Sequence, residues 1–155
     1  MNLTELWTAI VTRLNADATL VAAIQGVYNT ATPPGLVAFS AAGKPYIVFS
    51  IASSTHDDAF RTDIVEHTFR FSIISSARAG LTVPSTIINR LYGDATNQST
   101  RVPSFGLHRH LLELPDAAGS WEGGYFQHVD SSQDHTVDVY HFIETFKILT
   151  SRQSP

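Results

Sequence analysis

A chain of 155 residues, 43% hydrophobic and only 15% charged, has the length of one domain with a buried core, and no run in it approaches the roughly 20 apolar residues of a membrane span. It has no cysteine, which excludes disulfides, thiolate nucleophiles and cysteine-ligated zinc. Net charge is −4 with neutral histidines, and with Lys44 and Lys147 as its only lysines the chain has no basic cluster to neutralise nucleic-acid phosphates.

In chain order, Leu3, Leu6, Trp7, Ile10, Val11 and Leu14 recur at the spacing of one helical face, with Thr4, Glu5, Thr8, Thr12 and Arg13 opposite. Asn2 and Glu5 have the spacing of a capping box. Burial of that apolar stripe contributes on the order of 10 kcal/mol gross, an upper bound. A second short helix is expected, with Asp17 as N-cap, Leu20 and Ile24 inward and Gly26 as its stop. Val27-Tyr28 reads as a short extended piece. Residues 29–44 carry Pro33, Pro34, Gly35 and Gly43 and read as a loop. Pro45 opens a strand-like run from Tyr46 to Ile51. Residues 53–63 are polar and read as a long hairpin connection.

Residues 64–75 alternate, with Val65, His67, Phe69, Phe71 and Ile73 on one face and Glu66, Thr68, Arg70 and Ser72 on the other. A helix is expected from Thr82 to Tyr92, with Pro84 in its first turn, Ile87, Ile88 and Leu91 inward and Gly93 as C-cap. Residues 94–104 read as a polar loop, 106–114 as a strand, and 115–135 as a long loop carrying Trp121, Tyr125 and Phe126. Residues 136–149 read as a last strand apolar on both faces, with Glu144 interrupting the face of Tyr140, Phe142, Phe146 and Ile148. The order helix-helix-strand-strand-helix-strand-strand predicts an α+β fold: a mostly antiparallel β-sheet with helices packed on one face. It is expected as a single domain over residues 1–150, with a flexible tail at 151–155. The N-terminus lacks the basic start and apolar stretch of a signal peptide, so synthesis in a cytoplasm is expected.

Few residues offer chemistry. On a strand, His108 and His110 would leave the same face, an arrangement used by metal sites with carboxylates nearby, and His56, Asp57, Asp58, His128 and His135 are candidates to complete one. Chance placement among seven histidines is the simpler reading, so no metal and no cofactor is assigned. No Gly-x-Ser-x-Gly elbow and no phosphate loop is present, and Glu122 would repel phosphate within Gly119-Ser120-Trp121-Glu122-Gly123-Gly124. No catalytic residue is assigned. Between Arg109 and Lys147 the chain has no Lys or Arg but has Glu113, Asp116, Glu122, Asp130, Asp134, Asp138 and Glu144; the plainer reading is a solvated acidic face, and the functional one is a surface that repels DNA and lets it slide past. Trp121, Tyr125 and Phe126 fit either a satellite core under the loop or an interface, where aromatics are enriched. The candidate partner-interface residues are therefore Asp57, Asp58, Phe60, Arg61, Trp121, Tyr125 and Phe126.

Several stretches together resemble a known family. They are Leu6-Trp7-Thr8-Ala9-Ile10, Leu14-Asn15-Ala16-Asp17-Ala18-Thr19-Leu20, Ile24-Gln25-Gly26-Val27-Tyr28, the loop with Pro33-Pro34, Lys44-Pro45-Tyr46-Ile47-Val48-Phe49, the strand His67–Ile73, the helix ending Leu91-Tyr92 and the final aromatic strand. The pattern resembles the tail terminator and tail-completion proteins of siphophages over residues 3–114 and 136–149, while 115–135 is longer and richer in Gly and aromatics. The resemblance implies a non-enzymatic virion protein that forms a homo-oligomeric ring, a hexamer, on the last ring of the tail tube protein. Such a ring would stop tube growth, present the surface that joins a head-completion or connector protein, and let genomic DNA pass through its lumen. A head-closure part or another minor tail protein is the alternative, and a small metalloenzyme using His108 and His110 is a more distant one. Sheet edges in such a subunit are candidates for pairing across neighbours.

Overall fold

A computed structural model describes residues 3–29, 44–59, 62–77, 80–93, 105–112, 114, 121–136 and 138–153. Three helices and six strands occur there: α1 (Leu3–Asn15), α2 (Ala18–Ala23), β1 (Val27–Asn29), β2 (Tyr46–Ala59), β3 (Thr62–Ser76), α3 (Thr82–Tyr92), β4 (Glu122–Gly123), β5 (Gln127–His135) and β6 (Val139–Gln153). The fold is α+β, as the element order implied.

One stripe of α1 is buried, through Leu6, Ile10 and Leu14, and Trp7 stacks on Phe49 with ring centroids 3.6 Å apart. Asp17 caps α2 by accepting from the backbone N–H groups of Thr19 at 3.0 Å and Leu20 at 3.2 Å. The same carboxylate takes two hydrogen bonds from Arg90 of α3, from Nε at 2.7 Å and from the terminal guanidinium nitrogen at 2.6 Å. Burial raises the carboxyl's pKa, but Arg90 and the two amide donors outweigh it and hold the value below the usual carboxylate range. Asp17→Asn keeps an oxygen for the cap and removes the charge that Arg90 meets. It is expected to cost about 2 kcal/mol, read as a lower urea midpoint at unchanged slope. Helix α2 ends at Ala23, before the glycine expected to stop it, because Ile24 already takes extended backbone at φ −114°.

The sheet runs β1-β2-β3-β6, with β4 and β5 both paired to the far edge of β6. Among the described strands only the β1–β2 pair is parallel. Alternation in β3 buries Val65, His67, Phe69, Phe71 and Ile73 on one face, which meets the helices. Opposite them in register, β6 contributes Ile148, Phe146, Glu144 and Phe142. Phe49, Phe69, Phe71, Phe126 and Phe146 are the largest fully buried side chains.

Four expectations are corrected. Residues 53–59 and 62–63 are not a loop but the distal ends of β2 and β3, which pair as far as Ala59↔Thr62. Both faces of β2 are exposed from Ser53 to Asp57, so no apolar alternation marks that strand. The expected strand at 106–114 is not found in its described residues, 106–112 and 114: Gly106 at φ 78° and Arg109 at φ 61° turn the chain, leaving there one isolated bridge, Leu111↔Tyr125. Within 115–135, read as loop, β5 is a full strand whose run of exposed polar residues hides it in the sequence. Last, β6 continues through Gln153, past the end expected at 149, and its second face (His141, Ile143, Thr145, Lys147) is half-buried rather than covered.

Candidate functional site

The most distinctive polar group lies on the inner face of β6. Glu144 stands between Phe71 of β3 and Ser131 of β5 and is 4% exposed. Isolated in an apolar core, a carboxylate would be costly, so its partners decide whether it is tolerated. Ser131 Oγ donates to its Oε2 at 2.6 Å, and His128 Nε2 lies 2.7 Å from the same oxygen. The ring of His128 packs edge-on against Phe146, and its backbone N–H donates to His108 Nδ1 at 3.1 Å. His108 in turn stacks on Tyr92 at the end of α3, with centroids 4.5 Å apart.

This cluster has the residue types of a hydrolytic triad but the wrong geometry. Activation of a serine needs the hydroxyl at one ring nitrogen and the carboxylate at the other. Here Ser131 Oγ, at 3.1 Å, and Glu144 share Nε2. What the arrangement does is satisfy a buried carboxylate and fasten β5, the 105–110 turn and α3 to β6. Sequence reading noticed Glu144 as an interruption; its partners lay in a stretch read as loop, so the set could not be assembled.

The turn also decides where His108 and His110 lie. His108 and His110 are not on one strand face, and among the described residues no group of three His, Cys, Asp or Glu side chains is placed to hold a metal ion. Burial pushes His110 down to about 4, with Arg13 adding to it, and lowers His67 and His108. His67 lies between Ser54 Oγ, 2.8 Å from Nδ1, and Thr150 Oγ1, 3.2 Å from Nε2. For these groups the unfolded chain binds protons first, so stability rises with pH. The His110 contribution is whole above pH 6.5 and is lost as pH falls toward about 4. Urea midpoints are expected to drop between pH 7.5 and 5, and His110→Gln is expected to flatten that dependence.

Of the expected interface residues, Asp57 is exposed on β2; the backbone of Asp58 lies in β2, with its side chain outside the described residues, as are Phe60 and Arg61. Trp121 is half-buried beneath the Arg152 guanidinium, 5.3 Å from its ring, and Arg152 also pairs with Asp63. Tyr125 is 57% exposed beside its bridge partner Leu111, at 41%. Phe126 is corrected: it is fully buried, because 109–112 pairs with 124–126 and turns alternate residues inward, so it belongs to the core and not to a surface.

No protein-family model matches the sequence, and no curated protein matches it. Among solved structures, a chain described as "Virion of native gene transfer agent (GTA) particle" superposes with a TM-score of 0.67 over 96% of this chain and 96% of that chain, at 18% identity. A likeness that spans both chains almost end to end is a likeness of the whole fold, and this chain therefore shares its architecture with a component of that virion particle.

Proposed function

We propose that this chain is a structural virion protein, not an enzyme, and specifically a tail terminator. Copies of it form a ring, a hexamer by the family resemblance, which sits on the final ring of tail tube protein, ends tube growth and presents the surface that receives a head-completion or connector protein. The observation that carries this reading is the fold shared end to end with a virion component. Three features of the chain support it. The cluster with triad-type residues is wired for packing and not for activating Ser131. The acidic residues of β5 and its flanks, Glu122, Asp130, Asp134 and Asp138, suit a wall past which DNA slides, since like charge keeps phosphates from adhering. The polar β2–β3 hairpin suits a docking arm. Its place is the head-proximal end of the tail, after synthesis in the host cytoplasm.

Electron microscopy of particles made without this protein tests the proposal. Overlong tails of irregular length that carry no heads are expected. Uniform tails that fail to join heads would assign it to head closure instead, and uniform tails joined to heads would remove it from both roles.

A further inference from the structure

We propose that the ring contact is a sheet continuation, in which the outer edge of distal β2 in one copy pairs antiparallel with the outer edge of β5 in the next, Thr55 opposite Asp134, His56 opposite Gln133 and Asp57 opposite Ser132. The inference deepens the proposed function and rests on its ring of copies.

Both edges are open among the described residues. β1 covers β2 only from Ile47 to Phe49, and β5 pairs with β6 on one side only. An open edge is a template for another strand, and proteins that must stay apart blunt it with Lys or Pro. Neither Ile51–Ala59 nor Gln127–His135 contains Lys, Arg or Pro. Strand direction suits a second copy. β2 opposes β3, β3 opposes β6 and β6 opposes β5, so β2 and β5 run in opposite senses. Thr55 stands level with Leu149 of β6 and Asp134 level with His141, about 26 Å apart along the sheet, so the ring axis that pairs them is inclined to the strands, as strands tilt in a closed barrel. A copy rotated about such an axis presents an antiparallel partner with no inversion. Because the two edges differ, the contact is heterologous, the kind that closes rings.

Register follows from faces and charge. Each strand has one irregularity, at Ile51/Ser53 in β2 and at His128/Asp130 in β5, and beyond these both are regular. Ser54, bonded to buried His67, and Ser131, bonded to buried Glu144, mark the inner faces. Matching inner face to inner face allows only registers that differ by two residues. In the proposed one, Asp57 and Asp134 each meet a hydroxyl across the gap, and no acid stands opposite an acid. A slip of two residues in one direction sets Asp57 opposite Asp130; in the other direction it sets Asp57 opposite Asp134. Like charges directly opposite destabilise a pair, so charge disfavours both neighbouring registers.

The chain's lack of cysteine makes the test clean. His56→Cys/Gln133→Cys is oxidised both as purified protein at high concentration and in assembled particles. A ladder of disulfide-linked multimers that ends in a closed ring is expected, since directly opposed Cα atoms fall within disulfide reach. Replacing Gln133→Cys by Gln127→Cys moves the thiol about 20 Å along the strand and is expected to abolish the ladder. In an Asp57→Ser background, cross-linking is expected to appear between His56→Cys and His135→Cys, the pair opposed after a slip. Particles with normal tails that contain the doubly substituted chain and yield no ladder would overturn the edge contact and leave the terminator role standing. Dimers formed by Gln133→Cys alone would overturn it as well, in favour of a two-fold contact. Failure of the terminator reading shows separately, as normal tails in particles without the protein.

Discussion

Phe126→Ala is expected to destabilise the fold by about 3–5 kcal/mol, the cost of emptying a fully buried aromatic site. Its ring has no exposure and lies 6.3 Å from Phe69 and within the cluster that joins helices to sheet. Its backbone is fixed on both sides, accepting from Arg109 N–H at 2.8 Å and donating to His110 carbonyl at 3.0 Å, so the cavity has little freedom to collapse. The adjacent residue gives the contrast. Tyr125→Ala removes an exposed side chain and is expected to change stability by less than about 0.5 kcal/mol, while reducing assembly if this corner is a partner surface. Urea denaturation followed by tryptophan fluorescence separates the two variants. An unchanged midpoint for Phe126→Ala would contradict the core position.

Gly106→Ala is expected to be comparably damaging, at about 3 kcal/mol or more. The residue holds φ at 78°, where a β-carbon costs roughly 1–2 kcal/mol. The added carbon would also collide with the backbone of Gly93 and approach the Arg90 carbonyl at 2.8 Å. These are main-chain atoms at the end of α3, tied to the turn through Leu107 N–H to Leu91 O at 2.9 Å and His108 N–H to Tyr92 O at 2.8 Å. They have no rotamer by which to yield. Gly80→Ala isolates the conformational part, because that glycine has φ at 71° with nothing within 4 Å of a β-carbon. Only about 1–2 kcal/mol is expected there. Thermal unfolding reads the difference, at roughly 2–4 °C per kcal/mol for a chain of this size. Equal losses for the two variants would show that the contact with Gly93 does not constrain the turn.

Sequence and structure agree where amphipathic period and burial coincide. The span of α3, the cap at Asp17, the stripe of α1 and the inward row of β3 were all legible because each alternates against a single apolar face. The chain itself thus determined the α+β class, the helices, the central strands, the lack of thiol chemistry and the acidic late segment. Distal β2 and β5 were not legible. Both faces of such strands meet water, so their strand character comes from backbone pairing with β3 and β6, partners distant in sequence. His108 and His110 misled for a related reason: a stretch of apolar and histidine residues looks extended until Arg109 and Gly106 are seen to turn it. The tertiary structure alone decided that Phe126 points inward, that Glu144 meets His128 and Ser131, and that among the described residues distal β2 and β5 each have one unpaired polar edge. Local spacing records what each residue prefers on its own element; which groups meet, and which edges stay open, depends on how distant elements are brought into register.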